Sequence, residues 1–133
     1  MTVEEASRAV RVELRAEDSL SPDCHYVSPV EGAEGLSFMV VGGTIARIDV
    51  FQGDIKTRSG VGIGTREQQV MDSYPGQIEV SSHPYDETGH YLTFVPRDAA
   101  ERAYRVIFET DGRAVTSFRS GRLPEVQAIE GCS

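Results

Sequence analysis

The sequence predicts an α+β fold of two tandem repeats, each a short helix followed by about four antiparallel strands, forming one sheet with the helices packed on one face. Three echoes along the chain predict it. Thr2-Val3-Glu4-Glu5 and Thr65-Arg66-Glu67-Gln68 both have the T-x-x-E/Q form of a helix capping box, in which a Thr hydroxyl and the third residue onward satisfy backbone donors reciprocally. His25-Tyr26 recurs as His90-Tyr91, and Phe38-Met39-Val40-Val41-Gly42 recurs in the same order as Phe108-Glu109-Thr110-Asp111-Gly112. The offset between partners grows from 63 to 65 to 70 positions, as a duplicated unit with lengthening loops would give.

The first helix is expected to hold scarcely two turns, because alternation takes over from Ala9 to Ala16. Val10, Val12 and Leu14 then face one way and Arg11, Glu13 and Arg15 the other. Gln77 to Ser82 fills the same slot in the second half. A strand follows through Cys24-His25-Tyr26-Val27, with its counterpart at His90 to Val95, and Pro22, Pro29, Pro84 and Pro96 mark the ends. Each half closes on a hairpin. Leu36 to Val41 and Thr44 to Phe51 flank Gly42-Gly43, while Tyr104 to Thr110 and Arg113 to Arg119 flank Asp111-Gly112. Both dipeptides suit the positive φ angles of a two-residue turn. The chain thus reads as a single domain, 1–133, with repeat 1 at about 1–51, a glycine-spaced connection at 52–64, repeat 2 at about 65–121 and a tail at 122–133.

Alternation sorts the strand residues into two faces. Phe38, Val40, Ala46, Ile48, Leu92, Phe94, Val106, Phe108 and Phe118 are expected under the helices. Met39, Arg47, Asp49, Tyr91, Thr93, Ile107, Glu109 and Arg119 are expected on the opposite, solvent-facing side. An antiparallel sheet tolerates one wet face. A wet face carrying Tyr, Met, Ile and Arg has the residue types of an interface core, so these eight positions form the candidate binding surface.

With 13 basic and 21 acidic residues the net charge is −8, which disfavours nucleic acid and anionic membrane surfaces as partners. No apolar run reaches the 18 residues of a membrane span. Cys24 and Cys132 are the two cysteines. A bridge between them would close a long loop and stabilise by roughly 4 to 5 kcal/mol in the chain-entropy view. It would also place the protein in an oxidising compartment, periplasmic or secreted, with the leader outside this sequence. Two reduced thiols in a cytosolic protein are the alternative.

The helix start at Gly64-Thr65 with Val70, set in a duplicated helix-plus-four-strand unit, resembles the fold of the secreted beta-lactamase inhibitory protein family, and is similar to small outer-membrane-assembly lipoproteins. Gly62-Ile63-Gly64-Thr65, Phe108-Glu109-Thr110-Asp111-Gly112 and Glu130-Gly131-Cys132-Ser133 resemble a group of uncharacterised envelope proteins of Gram-negative bacteria. The inhibitor repeats are longer, with helix-loop-helix openings. The resemblance implies a concave sheet that binds protein, and it carries no catalytic residues across.

Other constellations have plainer readings. His83-Pro84-Tyr85-Asp86-Glu87-Thr88-Gly89-His90 is dense in potential ligands, yet its spacing matches no zinc motif, so a polar loop is the default. Gly60-Val61-Gly62-Ile63-Gly64-Thr65 meets neither phosphate-binding fingerprint and reads as a turn delivering a capping threonine. Ser81, Ser82 and His83 are neighbours, but adjacent strand residues point to opposite faces and G-x-S-x-G is absent. Arg102, Arg105, Arg113, Arg119 and Arg122 gather near the last hairpin, with Glu101, Glu109 and Asp111 as counter-charges. The expected function is therefore a non-catalytic binding module, an inhibitor or immunity protein, with no cofactor and another protein as its partner. An envelope scaffolding module is the alternative, and a small-ligand or metal-dependent enzyme built on the His83–His90 loop is third.

Overall fold

The computed structural model describes residues 1–10, 14–16, 23–29 and 35–129. In chain order the elements are α1 (Val3–Val10), β1 (Leu14–Ala16), β2 (Cys24–Pro29), β3 (Leu36–Val41), β4 (Thr44–Val50), α2 (Glu67–Ser73), β5 (Ile78–Ser82), β6 (His90–Phe94), β7 (Tyr104–Thr110) and β8 (Val115–Arg122). One-turn 3₁₀ segments follow at Ala99–Glu101 and Glu125–Gln127. The strands form one antiparallel sheet of eight in the order β1-β2-β3-β4-β8-β7-β6-β5. Two four-stranded meanders therefore meet where β4 pairs with β8, through Arg47↔Gly121, Ile48↔Ser120, Asp49↔Arg119 and Val50↔Phe118. Gly121 has a specific reason to be glycine there. A Cβ at this position would come within 2.4 Å of the Arg47 Cβ and 2.5 Å of the Ala46 carbonyl oxygen.

The first hairpin turns on Gly42 and Gly43, both at positive φ (58° and 83°), between the paired Val41 and Thr44. The second departs from the two-residue expectation. Thr110 pairs with Val115 across four residues, because the Asp111 carboxylate accepts the Arg113 and Ala114 amides and holds a wider turn. Both hairpins then shift register next to the turn, between Met39 and Val40 and between Glu109 and Thr110. The first shift puts Ile45, rather than Ala46, opposite Val40. The extra residue restores the pattern beyond it, so that Ile48 still faces Phe38.

Cross-strand partners share a face, so the registers define two sides of the sheet. One carries Val27, Phe38, Val40, Ile48, Val50, Leu92, Phe94, Val106, Phe108 and Phe118. Two clusters form on it. Ala6 of α1 packs with Val27, Phe38 and Val40, and Val70 of α2 packs with Val50, Leu92, Phe108, Val115 and Phe118. Leu36 touches both clusters. The connection between the meanders contributes as well. A Lys56↔Gly62 bridge and the Thr57 amide donating to the Val61 carbonyl fold it back, which buries Val61 completely in the second cluster.

The two helix starts differ chemically. At α1 the capping box forms as read: the Glu5 amide donates to the Thr2 hydroxyl and the Thr2 amide to the Glu5 carboxylate, each at 3.2 Å. α1 also continues to Val10, so Ala9 and Val10 are helical rather than strand, while the expected alternating positions Arg11, Val12 and Glu13 lie outside the described residues. At α2 no box forms. Thr65 and Arg66 run as a bridge along the β7–β8 hairpin, the Glu67 amide donates to the Arg113 carbonyl, and the Thr65 hydroxyl instead accepts the Gly62 amide. Backbone pairing has already taken the donor that a side-chain cap would serve. Replacing Thr2 by Ala should therefore cost about 1 kcal/mol of stability in urea denaturation, with Thr2→Ser staying near the parent.

Candidate functional site

The eight residues proposed as a binding surface do share the side of the sheet opposite the helix clusters, in the rows Tyr26-Met39-Arg47, Asp49-Arg119-Ile107-Thr93 and Glu109-Tyr91. Half of them are not on the surface. Met39 is 1% exposed, Arg47 5%, Ile107 3% and Arg119 3%. The reason is the segment after β8. It turns back through Pro124 and the 3₁₀ turn Glu125–Gln127 and lies across β4, β7 and β8, with Val126 fully buried. The expected wet face is thus a second small core over this half, and the tail from 122 onward is a packed strap as far as it is described.

Two buried arginines hold the strap. Arg47 donates from Nη1 to the carbonyls of Glu125 (3.0 Å) and Ala128 (2.7 Å), from Nη2 to the Tyr26 hydroxyl and from Nε to Asp49 Oδ2 at 2.9 Å. Arg119 donates from Nε to the Val126 carbonyl at 2.6 Å and from Nη1 to Glu109 Oε2 at 2.7 Å. The Glu125 carbonyl also accepts the Ala128 amide within the 3₁₀ turn, whereas those of Val126 and Ala128, past the turn's own ladder, take their donors from the guanidinium groups. Gly121, opposite Arg47 on the neighbouring strand, leaves the Arg47 side chain room.

The other half of this face is an ordered polar cluster. His83 Nε2 meets Glu109 Oε1 at 2.9 Å, and the Tyr85 amide donates to His83 Nδ1 at 3.1 Å. Because Nδ1 accepts, the proton sits on Nε2 and is donated to Glu109. The Tyr91 ring packs edge-on against His83 with centroids 4.9 Å apart, and the Arg119 guanidinium lies 5.1 Å from its centre as a cation–π contact. Thr93 and Asp49 are half-buried beside it. Tyr85, in the loop leading away from His83, is 70% exposed. Among the described residues, Arg119 Nη2 is buried without a hydrogen-bond partner.

The 83–90 loop does not gather its ligand-type residues. His83 points to the strap-side face, whereas His90 stands on the other, where Nδ1 meets Glu67 Oε2 at 2.8 Å and Thr110 donates to the same oxygen. Asp86 is occupied by the Thr88 amide and hydroxyl. Among the described residues no group of three or more His, Cys, Asp or Glu side chains could hold a metal. Ser81 pairs with Tyr91 and Ser82 with His90, on opposite faces, and among the described residues neither hydroxyl is bonded to a histidine. The arginines form no common edge: Arg119 is interior, Arg122 pairs with Glu125 at 3.2 Å, and Arg105 donates to the carbonyls of Arg102 and Tyr104. Cys24 lies in β2, while Cys132 and the motif Glu130-Gly131-Cys132-Ser133 lie outside the described residues. Sequence reasoning missed Val61 and Val126, two buried residues in segments read as connection and tail; isolated valines without periodicity give no signal.

No family model and no curated protein matches the sequence. Among solved structures, the chain is similar to the uncharacterized protein yfeY from Escherichia coli, with a TM-score of 0.51 and 17% identity over 91% of this chain and 90% of that one. That similarity is one of fold. Among the described residues no helix is long and apolar enough to cross a membrane.

Two predictions follow from the side-chain chemistry. Replacing Arg47 by Met removes the donor of the Ala128 carbonyl, leaves the Glu125 carbonyl with the Ala128 amide alone and takes the cation from Asp49. A loss of roughly 3 kcal/mol is expected, with new protease cleavage within 123–129 seen by mass spectrometry. The second concerns acid. The Ala114 and Arg113 amides hold the Asp111 carboxyl below its usual range, the Thr88 amide and hydroxyl do so for Asp86, and the Thr2 amide and hydroxyl for Glu5. A carboxylate depressed in the folded state stabilises above its unfolded value and loses that contribution as pH falls through the folded one. The melting temperature should therefore fall below about pH 4, and Asp111→Asn, which keeps an acceptor but does not titrate, should flatten that slope.

Proposed function

We propose that the protein is a non-catalytic periplasmic or secreted binding module, inhibitor-like in mode, that engages another protein through the uncovered half of the strap-side face: Tyr91, Thr93, Glu109 and the 83–89 loop with Tyr85. The observation that carries this reading is the engagement of the cluster's imidazole and carboxylate within the fold. Both nitrogens of His83 and both carboxylate oxygens of Glu109 have partners in the fold. What the cluster offers a partner is a fixed aromatic and charged surface rather than a free base or nucleophile. Surfaces whose side chains are already held in place lose less entropy on association. Tyrosine and arginine are also the residue types that dominate binding energy at protein interfaces.

The tandem-repeat reading belongs to the same proposal. It draws support from the order helix–four strands–helix–four strands and from the start of each helix, which bridges its own hairpin at Thr2↔Thr44 and Arg66↔Ala114. The register shifts beside the two turns add to it, as does the packing of Ala6 and Val70 on one side of the sheet. A Cys24–Cys132 bridge fits as well. The strap reaches Arg47, which touches Tyr26 on the strand that carries Cys24.

Retention of a stoichiometric protein from bacterial envelope extract tests the proposal. Arg47 and Glu109 are unsuitable as interface probes because each holds other groups in place, so Tyr85→Ala and Tyr91→Ala are the informative variants. Each should weaken the complex by more than 1 kcal/mol with the far-UV spectrum unchanged. Equal retention by the parent and both variants would remove this surface from consideration.

A further inference from the structure

The helix-side face carries a cleft where its two clusters meet. Its larger part encloses about 410 Å³ between Phe38, Ile48, Val50, Phe118 and the overhanging Ile55. This lining has no charged side chain. Of its two hydroxyl residues, Thr57 is already engaged, with the Tyr74 hydroxyl at 2.7 Å and the Val61 amide at 3.2 Å. Ser120 is therefore, among the described residues, the one polar side chain of this lining without a partner in the fold.

Ser120 and Val106 also line a second depression of about 290 Å³, bounded by Phe94, Pro96 and Tyr104 and ending at Glu101 and Arg105. The two share Ser120 and Val106, and both lie along one cross-strand row, Phe38↔Ile48↔Ser120↔Val106↔Phe94. Five neighbouring strands extend roughly 19 Å across a sheet. The small Ser120 at mid-row keeps the trench open where a larger side chain would divide it. Together the two depressions make an open trench, mainly apolar, with Glu101 and Arg105 at the Tyr104 end.

We propose that this trench binds a single-chain amphiphile, its hydrocarbon lying along the row from Phe38 to Phe94 and its polar end emerging beside Tyr104, Glu101 and Arg105. The chemistry of the lining selects the ligand. A chain without hydrogen-bonding groups leaves nothing unsatisfied against these walls, whereas a peptide backbone would meet almost no partners there. One charge of each sign at the open end and the net charge of −8 favour a neutral or zwitterionic head over a strongly anionic one. The site is independent of the protein-binding face, which is on the other side of the sheet.

Calorimetric titration of the whole chain with lysophosphatidylcholines and with free fatty acids of matched length, below their micelle concentrations, tests it. One-to-one binding is expected, tightening roughly fourfold for each added methylene that fits, with the zwitterionic series ahead of the fatty acids. Ser120→Leu, which fills the junction, should weaken binding at least tenfold, and Ile55→Asp should do the same. Tyr85→Ala should leave it unchanged. Absence of saturable binding in both series, affinity independent of chain length, or undiminished binding by folded Ser120→Leu and Ile55→Asp would each overturn the proposal. Binding of fatty acids alone would overturn the assignment of the head.

Discussion

The pairing of β4 with β8 is the constraint on which the rest of the molecule depends. Each meander alone would leave a long exposed edge and half a core, since the strands that end each unit carry Ile48 and Val50 on one side and Phe118 and Ser120 on the other. Joined, they make one sheet without an open edge at its centre. The seam tolerates no bulk at position 121, where the backbone of β4 approaches too closely for a Cβ. It also sets Asp49 opposite Arg119 and puts Arg47 on the neighbouring row, so that two guanidinium groups reach the same side of the sheet within one strap's length. The strap, the second small core and the trench on the other side all descend from this junction.

The two faces solve their burial by different means. On the helix side apolar surface is removed from water by α1, α2 and the folded connection through Ala6, Val70 and Val61, and the uncovered remainder is the trench. On the opposite side the cover is the 3₁₀ turn Glu125–Gln127 with its flanks, whose Val126 and Ala128 carbonyls need donors from outside the turn. Arg47 and Arg119 meet that need, and Asp49 and Glu109 balance the charge. Buried ion pairs add little net stability over apolar packing, because desolvation offsets their attraction. Their contribution here is one of position: they fix which carbonyls of the strap lie over which strands.

Much of the sheet was legible in the sequence, because period-two alternation and the Gly42-Gly43 turn are local signals. The eight residues of the strap-side face were grouped correctly for the same reason. Their exposure was misread, since alternation says which residues share a face and nothing of what covers it. The cover comes from Pro124 to Ala128, where a lone Val126 in a polar segment carries no pattern. The second capping box failed for a different cause. Thr65 has the right neighbours, but the backbone pairing of Arg66 with Ala114 is a contact between distant parts of the chain, and it decides the geometry before the side chain can. The pair of histidines in the 83–90 loop separated because seven positions along a strand-loop-strand return to opposite sides of the sheet.

Arg119 shows how far the strap-side arrangement is from an apolar optimum. Among the described residues one of its nitrogens is buried without an acceptor, a cost that a methionine at the same place would avoid. Yet Met could neither hold the Val126 carbonyl nor neutralise Glu109, and Glu109 in turn fixes His83 through Nε2. The guanidinium therefore links the strap to the exposed cluster: Val126 on one nitrogen, Glu109 on another, the Tyr91 ring beneath. The strap and the exposed cluster thus share one guanidinium plane.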